Sequence, residues 1–266
     1  MTIAVLGPRG TFSCELAEKI KEDGEEIILL PTIHDVFTAV TEKKIRGIVP
    51  VENSEAGGVG ETLDGLLQTD CKITAEYYMP IRHFFVSKYN PADISVIYTH
   101  PQSHEQAGIF LRELKGVSII HTSSNAQSAK EAESVLNSAA VTTESAAKLY
   151  KLPLLKKDIQ NSNNNTTRFL EISSLNIIPD KPEKCSIVVI PKDNRPGLLY
   201  GILEIFAHRG INLTRIESRP SKEGIGRYVF FIDFETDNEW KSAISELKEI
   251  TGLKELVCYK KRSINR

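Results

Sequence analysis

The 266-residue chain has no surplus of either charge: 33 Lys and Arg stand against 35 Asp and Glu, for a formal net charge of -2. It also lacks a basic stripe with interleaved aromatics, which argues against nucleic acid as a partner. Long apolar runs are missing, so nothing has the length of a bilayer span and no membrane partner is expected. Met1 to Leu6 passes straight into Gly7 and Pro8, without the charged start and apolar stretch of a signal peptide. There are only four cysteines, Cys14, Cys71, Cys185 and Cys258, far apart and with no Cys-x-x-Cys. That spacing points away from a zinc site or a disulfide framework and towards a reducing cytoplasm. Three triplets that fit the glycosylation pattern, at Asn164, Asn165 and Asn212, are chance matches without a secretion route.

Two further absences narrow the chemistry. The turn Gly7-Pro8-Arg9-Gly10 has neither the dinucleotide fingerprint nor the lysine of a phosphate loop, which excludes the commonest nucleotide sites. His100 and His104 have the spacing of two helical metal ligands, but Pro101 interrupts them and no third ligand is evident. Neither a metal nor a cofactor is expected.

What is present is a hydrophobic content of 41%, enough at this length for a sizeable core and roughly two domains. Up to about residue 170, short apolar runs alternate with amphipathic stretches, which predicts an α/β layer structure with largely parallel strands. Strands are expected at 3–6, 27–30, 47–51, 95–99, 117–120, 139–141 and 168–172. Helical spacing joins Phe12, Leu16 and Ile20, and Ile109 with Leu114. The segment 73–86 alternates over more than one ordinary strand and reads as a crossover between two lobes. Residues 173–183 hold two prolines and read as a linker. Beyond it come a strand at 185–190, a helix at 196–209 with Leu199, Ile202, Leu203 and Phe206 inward and Gly210 as C-cap, and a strand at 211–217. A turn at 221–226, a strand at 228–234, a helix at 238–250 and a strand at 253–259 complete a βαββαβ, ferredoxin-like order.

Ligands of open α/β sheets gather at the carboxyl ends of strands, and five polar segments follow such ends. They are 7–13, 52–58, 100–103, 122–125 and 163–169. The first and fourth read as helix N-termini, where free N–H groups and the helix dipole favour a carboxylate. Ser124 is expected to cap its helix in any case, and the Asn-rich run at 161–165 reads equally as a solvated loop.

Four of these segments occur in the order of known signature blocks. Gly7-Pro8-Arg9-Gly10-Thr11-Phe12-Ser13, Val49-Pro50-Val51-Glu52-Asn53-Ser54, His100-Pro101-Gln102 and Asn165-Thr166-Thr167-Arg168-Phe169 resemble those of the prephenate dehydratase family. Pro196-Gly197-Leu198-Leu199 and Glu217-Ser218-Arg219-Pro220 resemble the ligand-binding blocks of that family's ACT domain. The resemblance implies a catalytic domain over 1–178, two-lobed like a periplasmic binding protein, with lobes of about 1–75 plus 160–178 and 76–159. An ACT regulatory domain follows over 184–262. It further implies a cofactor-free lyase that turns prephenate into phenylpyruvate and is inhibited by L-phenylalanine, as a homodimer or homotetramer. By family pattern Thr167 is essential, and Asn53 and Gln106 lie in or beside the cleft. Thr11, Ser54, His100, Ser124, Asn125 and Phe169 are the further substrate-side candidates. Gly197, Leu198, Leu199, Glu217, Ser218, Arg219 and Pro220 are the effector candidates. The usual Gly-Ala-Leu is here Gly197-Leu198-Leu199, a bulkier run that could crowd the effector pocket.

Loss of carbon dioxide and hydroxide needs donors for two carboxylates and a hydrogen-bond or proton donor to the departing hydroxyl. Arg168 is a candidate carboxylate clamp or else a structural ion pair. Thr167 is a poor acid and better suited to donate a hydrogen bond. Glu52, if burial raises its pKa, and His100 are candidate proton sources, with structural roles as the alternative. Arogenate dehydratase chemistry, or a two-lobed receptor without catalysis, would fit the same motifs.

Overall fold

The computed structural model describes residues 2–193, 195–221, 226–236 and 239–264. The apolar runs of the first segment form β1 (Thr2–Leu6), β2 (Glu26–Leu30) and β3 (Arg46–Asn53), joined by α1 (Phe12–Ile20) and α2 (Ile33–Lys43). α1 buries Cys14, Leu16, Ala17 and Ile20 along one stripe. A short β4 (Gly57–Gly58) folds back on β3 before α3 (Gly60–Gln68). β5 (Lys72–Pro80) then carries the chain out to a second lobe, made of β6 (Phe84–Val86), β7 (Val96–Thr99), α4 (Pro101–Gln106), α5 (Gly108–Glu113), β8 (Ser118–His121), α6 (Asn125–Ser134), β9 (Ser138–Thr142), α7 (Glu144–Leu149) and β10 (Leu154–Lys156). β11 (Thr166–Ser173) brings it back.

The expected parallel pairing is found for β1 with β2 and β3, and for β7 with β8 and β9, whereas β6 pairs antiparallel with β9 and β10, and β11 antiparallel with β3. It fails for β5 and β11, which pair antiparallel along their length. One of these strands leaves the first lobe and the other returns, so lying side by side they must run in opposite directions. On α5, Ile109 is exposed and Leu111 is buried in its place.

The C-terminal part is β12 (Lys184–Ile190), α8 (Leu198–His208), β13 (Leu213–Pro220), β14 (Tyr228–Glu235), α9 (Trp240–Ile250) and β15 (Gly252–Lys261). Its sheet has the ferredoxin-like order β13-β14-β12-β15. Most of the turn expected at 221–226, and the expected helix start at 238, fall outside the described residues. α8 buries Ile202, Ile205 and Phe206, so Ile205 takes the inward place expected for Leu203. Cys185 and Cys258 correct the expectation of no disulfide: they are 73 residues apart in sequence, but the pairing of β12 with β15 sets them opposite each other, and they are joined.

β15 runs past the expected end at 259. Lys260 and Lys261 pair in parallel with Ala75 and Glu76 of β5, which fuses the two parts into one ten-stranded sheet, β13-β14-β12-β15-β5-β11-β3-β1-β2 with β4 on β3. Strand alternation divides the C-terminal side chains between two cores. Ile187, Val189, Ile232 and Phe234 face α8 and α9, whereas Val188, Phe231, Leu256 and Tyr259 pack with Val51, Leu63 and Leu66 of the first lobe.

At this junction lies a buried ion cluster. Arg168 donates from Nε to Glu76 (2.7 Å), from Nη2 to the Tyr259 hydroxyl (2.8 Å) and from Nη1 to Asp233. Lys184 donates to Glu76 at 2.8 Å and completes two cations against two anions. The Ser186 hydroxyl donates to Asp233, and Tyr259 lies 2.7 Å from Ser186. Burial works hardest on Asp233 and would raise its carboxyl, but the Arg168 charge and the Ser186 hydrogen bond outweigh it and hold the carboxyl below its ordinary range.

Asp233→Ala strands the Arg168 charge, and we expect it to cost about 3–5 kcal/mol of unfolding free energy, the range for a broken buried pair. Denaturant melts at neutral pH measure this. Because the folded carboxyl lies below its unfolded value of about 3.9, its contribution is complete above that pH and is lost as the pH falls through the folded value. The gap between parent and variant therefore closes on acidification. A neutral-pH difference under about 1 kcal/mol would remove the cluster from the account of stability.

Candidate active site

The two lobes enclose a cavity of about 500 Å³. Thr167 and Phe169 line it because they alternate on β11. Their partners on β3, Asn53 and Pro50, are three positions apart, which simple alternation would send to opposite faces. The register slips here: Thr167 pairs with Asn53, Arg168 with Glu52, and Phe169 with Pro50. The extra residue on β3 is a bulge, which tolerates a proline without an N–H and turns both Pro50 and Asn53 to the cavity.

Asn53 fixes the direction of the Thr167 hydroxyl. Its Oδ1 accepts from the backbone N–H groups of Glu55 (3.1 Å) and Ala56 (3.0 Å), so the amide cannot flip without losing both. Its Nδ2 therefore faces Thr167 and donates to Oγ1 at 2.9 Å and to Asn165 Oδ1 at 2.7 Å. With Oγ1 serving as acceptor, the hydroxyl proton is left to point elsewhere.

Two full-length helices end at the same cavity from opposite lobes. Thr11 caps α1, its Oγ1 accepting from the Cys14 N–H, and Ser124 caps α6, its Oγ accepting from the Gln127 N–H at 3.0 Å. Thr11, Phe12, Ser13, Ser123, Ser124 and Asn125 all line the cavity, so it receives two positive dipole ends. Ser103 donates to Asn125 Oδ1 at 2.6 Å, which leaves the Asn125 amide nitrogen to act as a donor. His100 caps α4: its Nδ1 accepts from the Gln102 N–H at 3.3 Å, which assigns the ring proton to Nε2. Burial, and then the charge of His121, lower the His100 pKa, which favours the neutral ring.

Among the described residues no Asp, Glu, Lys or Arg lines the cavity. This corrects two expectations. Arg168 sits one position from Thr167 and hence on the opposite face of β11, 5% exposed and committed to Glu76, Asp233 and Tyr259. Glu52 shares that face, 3.6 Å from Arg215 and 3.9 Å from Arg168. Ser54 also lies outside the cavity and clasps the neighbouring loop, accepting from the Thr166 N–H at 3.0 Å. Gln106 is buried behind the lining, its Oε1 2.8 Å from His83 Nε2. Burial lowers the His83 pKa, so its neutral ring donates there. His83 and the cavity-lining Val59 carry no signal in the sequence, and Asn165 stands there only as part of its motif; His83 and Asn165 acquire their partners only when distant segments meet.

A second cavity, of about 410 Å³, opens in the C-terminal part between the end of β12 and the start of α8. Gly197, Leu198 and Leu199 line it together with Lys192, Tyr228 and Phe230. Gly197 has a φ of +81°, a left-handed conformation that ends the loop and starts the helix, and a Cβ there would face open space. Glu217, Ser218, Arg219 and Pro220 are absent from this lining; Arg219 lies 3.5 Å from Asp64 of α3.

Residues 3–176 match the prephenate dehydratase family and residues 192–252 the ACT domain. The bifunctional chorismate mutase/prephenate dehydratase of Aquifex aeolicus is 39% identical over 97% of this chain and 73% of its own length. The prephenate dehydratase of Methanocaldococcus jannaschii is 38% identical, with 87% of each chain covered. Among solved structures, a prephenate dehydratase in complex with L-Phe from Arthrobacter aurescens superposes with a TM-score of 0.88 at 30% identity, covering 98% of this chain and 90% of that one. The chain belongs to the prephenate dehydratase family.

Proposed function

We propose that the interlobe cavity converts prephenate to phenylpyruvate, and that Thr167, oriented by Asn53, assists departure of the ring hydroxyl. The observation that carries this reading is the fixed donor geometry at Thr167 in a cavity with two helix N-termini and, among the described residues, no Lys or Arg side chain. In the reaction the bond from the ring to its carboxylate breaks, its electron pair moves through the ring, and the C–O bond to the hydroxyl breaks as the ring becomes aromatic. A cation gripping the departing carboxylate would stabilise the reactant against loss of neutral carbon dioxide. Backbone N–H groups at α1 and α6 hold an anion by partial charges instead, and Thr167 donates to the oxygen where negative charge develops. Neutral His100, with its proton on Nε2, lines the same cavity and is the candidate to supply a proton.

That no carboxylate lines the cavity among the described residues also favours prephenate over arogenate, whose ammonium group would enter without a counter-charge. We take 1–178 as the catalytic domain and 184–262 as the ACT domain, in keeping with the matched spans. The cavity beside Gly197 is our candidate for L-phenylalanine, the ligand of the Arthrobacter aurescens relative, acting as a feedback inhibitor. β13, at the edge of the sheet, supports pairing with a second copy in a homodimer or homotetramer.

Thr167→Ala is expected to fold and to lower kcat by roughly 10²–10³, with KM within a few-fold, as for a lost transition-state donor. Phenylpyruvate absorbance reads the rate, and near-parent turnover would end the assignment. In the same assay kcat/KM for arogenate should fall below that for prephenate by at least about tenfold, the equivalent of about 1.4 kcal/mol; equal values would mean that the ammonium group finds a partner.

A further inference from the structure

Two consecutive threonines at the carboxyl end of β9 reach both of the helix starts that open on the active-site cavity. Thr142 ends the strand, and its Oγ1 donates to the backbone carbonyl of Asn125, in the first turn of α6, at 2.6 Å. Thr143 follows it and crosses between the lobes. Its Oγ1 donates to the carbonyl of Gly10 at 2.7 Å and accepts from the Ala146 N–H at 3.1 Å, which caps α7. Both threonines are fully buried, and neither lines the cavity. Gly10 immediately precedes Thr11, the cap of α1, and is pressed into the second lobe: a Cβ on it would lie 2.9 Å from Ala146 Cβ and 3.4 Å from Ala126 Cβ of α6. Its φ of +93° suits only glycine in any case. Ser145 Oγ extends the contact to α1 itself, donating to Glu15 Oε2 at 3.4 Å.

We propose that Thr143 is a positioning residue for the active site: with Thr142 it holds the starts of α1 and α6 at one separation, and that separation selects a substrate with two carboxylates. The two helix ends belong to different lobes, which are joined by β5 and β11 and would otherwise be free to rock about those strands. A hydroxyl bond from one lobe to the main chain of the other, closed to water, removes that freedom beside the cavity. Because it grips a carbonyl, it carries the neighbouring N–H groups with it, which a contact between two side chains would not do. A ligand that bridges both helix ends gains affinity from a spacing set in advance, whereas a ligand with one carboxylate engages one end and is indifferent to the other. The proposal rests on the reading of the interlobe cavity as the active site.

The test uses the full chain with Thr143→Val, which keeps the shape and removes the hydroxyl, and Thr143→Ser, which keeps the hydroxyl. Initial rates give kcat and KM for prephenate, and competition in the same assay gives Ki for phenylpyruvate, the product that retains a single carboxylate. In Thr143→Val the prephenate KM is expected to rise at least about tenfold, with kcat and the phenylpyruvate Ki within about threefold of the parent, since ground-state grip on the second carboxylate is what is lost. Thr143→Ser should restore KM to within about threefold. A parent-like KM in Thr143→Val overturns the proposal, as does an equal rise of KM and Ki, which would mean general distortion of the cleft, or a Thr143→Ser as impaired as Thr143→Val, which would make the methyl group the cause. Should Thr143→Val fail to fold, Gly10→Ala strains the same contact from the opposite lobe. It is expected to show the same split between KM and Ki, and Ala146→Gly added to it should lower KM again by relieving the Cβ contact; parent-like constants in Gly10→Ala, or no relief in the double variant, overturn the proposal. Parent-like turnover of Thr167→Ala removes the active-site reading, whereas an impaired Thr167→Ala beside a parent-like Thr143→Val removes this proposal alone.

Discussion

The Arg168 guanidinium is shared between Glu76 of the first lobe and Asp233 and Tyr259 of the ACT domain, in a space closed to water. Each of its N–H edges meets an acceptor, and Lys184 balances the second carboxylate, so a group that would be costly to bury is satisfied. Because Arg168 adjoins Thr167, the same peptide segment that presents the catalytic candidate to the cavity is anchored on its other face to the regulatory domain. The parallel pairing of β15 with β5 runs beside this cluster and makes the two domains one sheet.

That anchoring explains the chemistry available in the cleft. With Arg168 and Glu52 turned away, the described residues of the cavity lining offer neutral donors and two helix ends. A dicarboxylate can be bound there without strong neutralisation, which suits a reaction in which one carboxylate must leave as an uncharged molecule. The bulge on β3 is equally necessary, since without it Asn53 and Pro50 would not share a face and the Thr167 hydroxyl would have no fixed donor.

The C-terminal sheet serves two cores at once. Its α8 and α9 face closes a core of its own, and the reverse face is buried on the first lobe. Gly58 and Gly60 are two of the places where side chains of the ACT sheet approach the backbone of the catalytic lobe.

Much of the strand order, the two-part organisation, the helix N-termini at 7–13 and 122–125 with Ser124 as a cap, and the candidate Thr167 were legible in the amino-acid sequence, because periodicity, capping and motif order are local properties. Side-chain direction was not. Arg168 and Thr167 are neighbours in one motif, yet strand alternation and a bulge on the facing strand send one to the domain junction and the other to the cavity. The β5–β15 pairing, the Cys185–Cys258 bond and the contact of Glu217 with the Gly58 hairpin join residues at least 73 positions apart, and nothing in the local sequence of either partner encodes the other. Only packing of the ACT sheet against the first lobe, driven by burial of its second apolar face, brings those partners together.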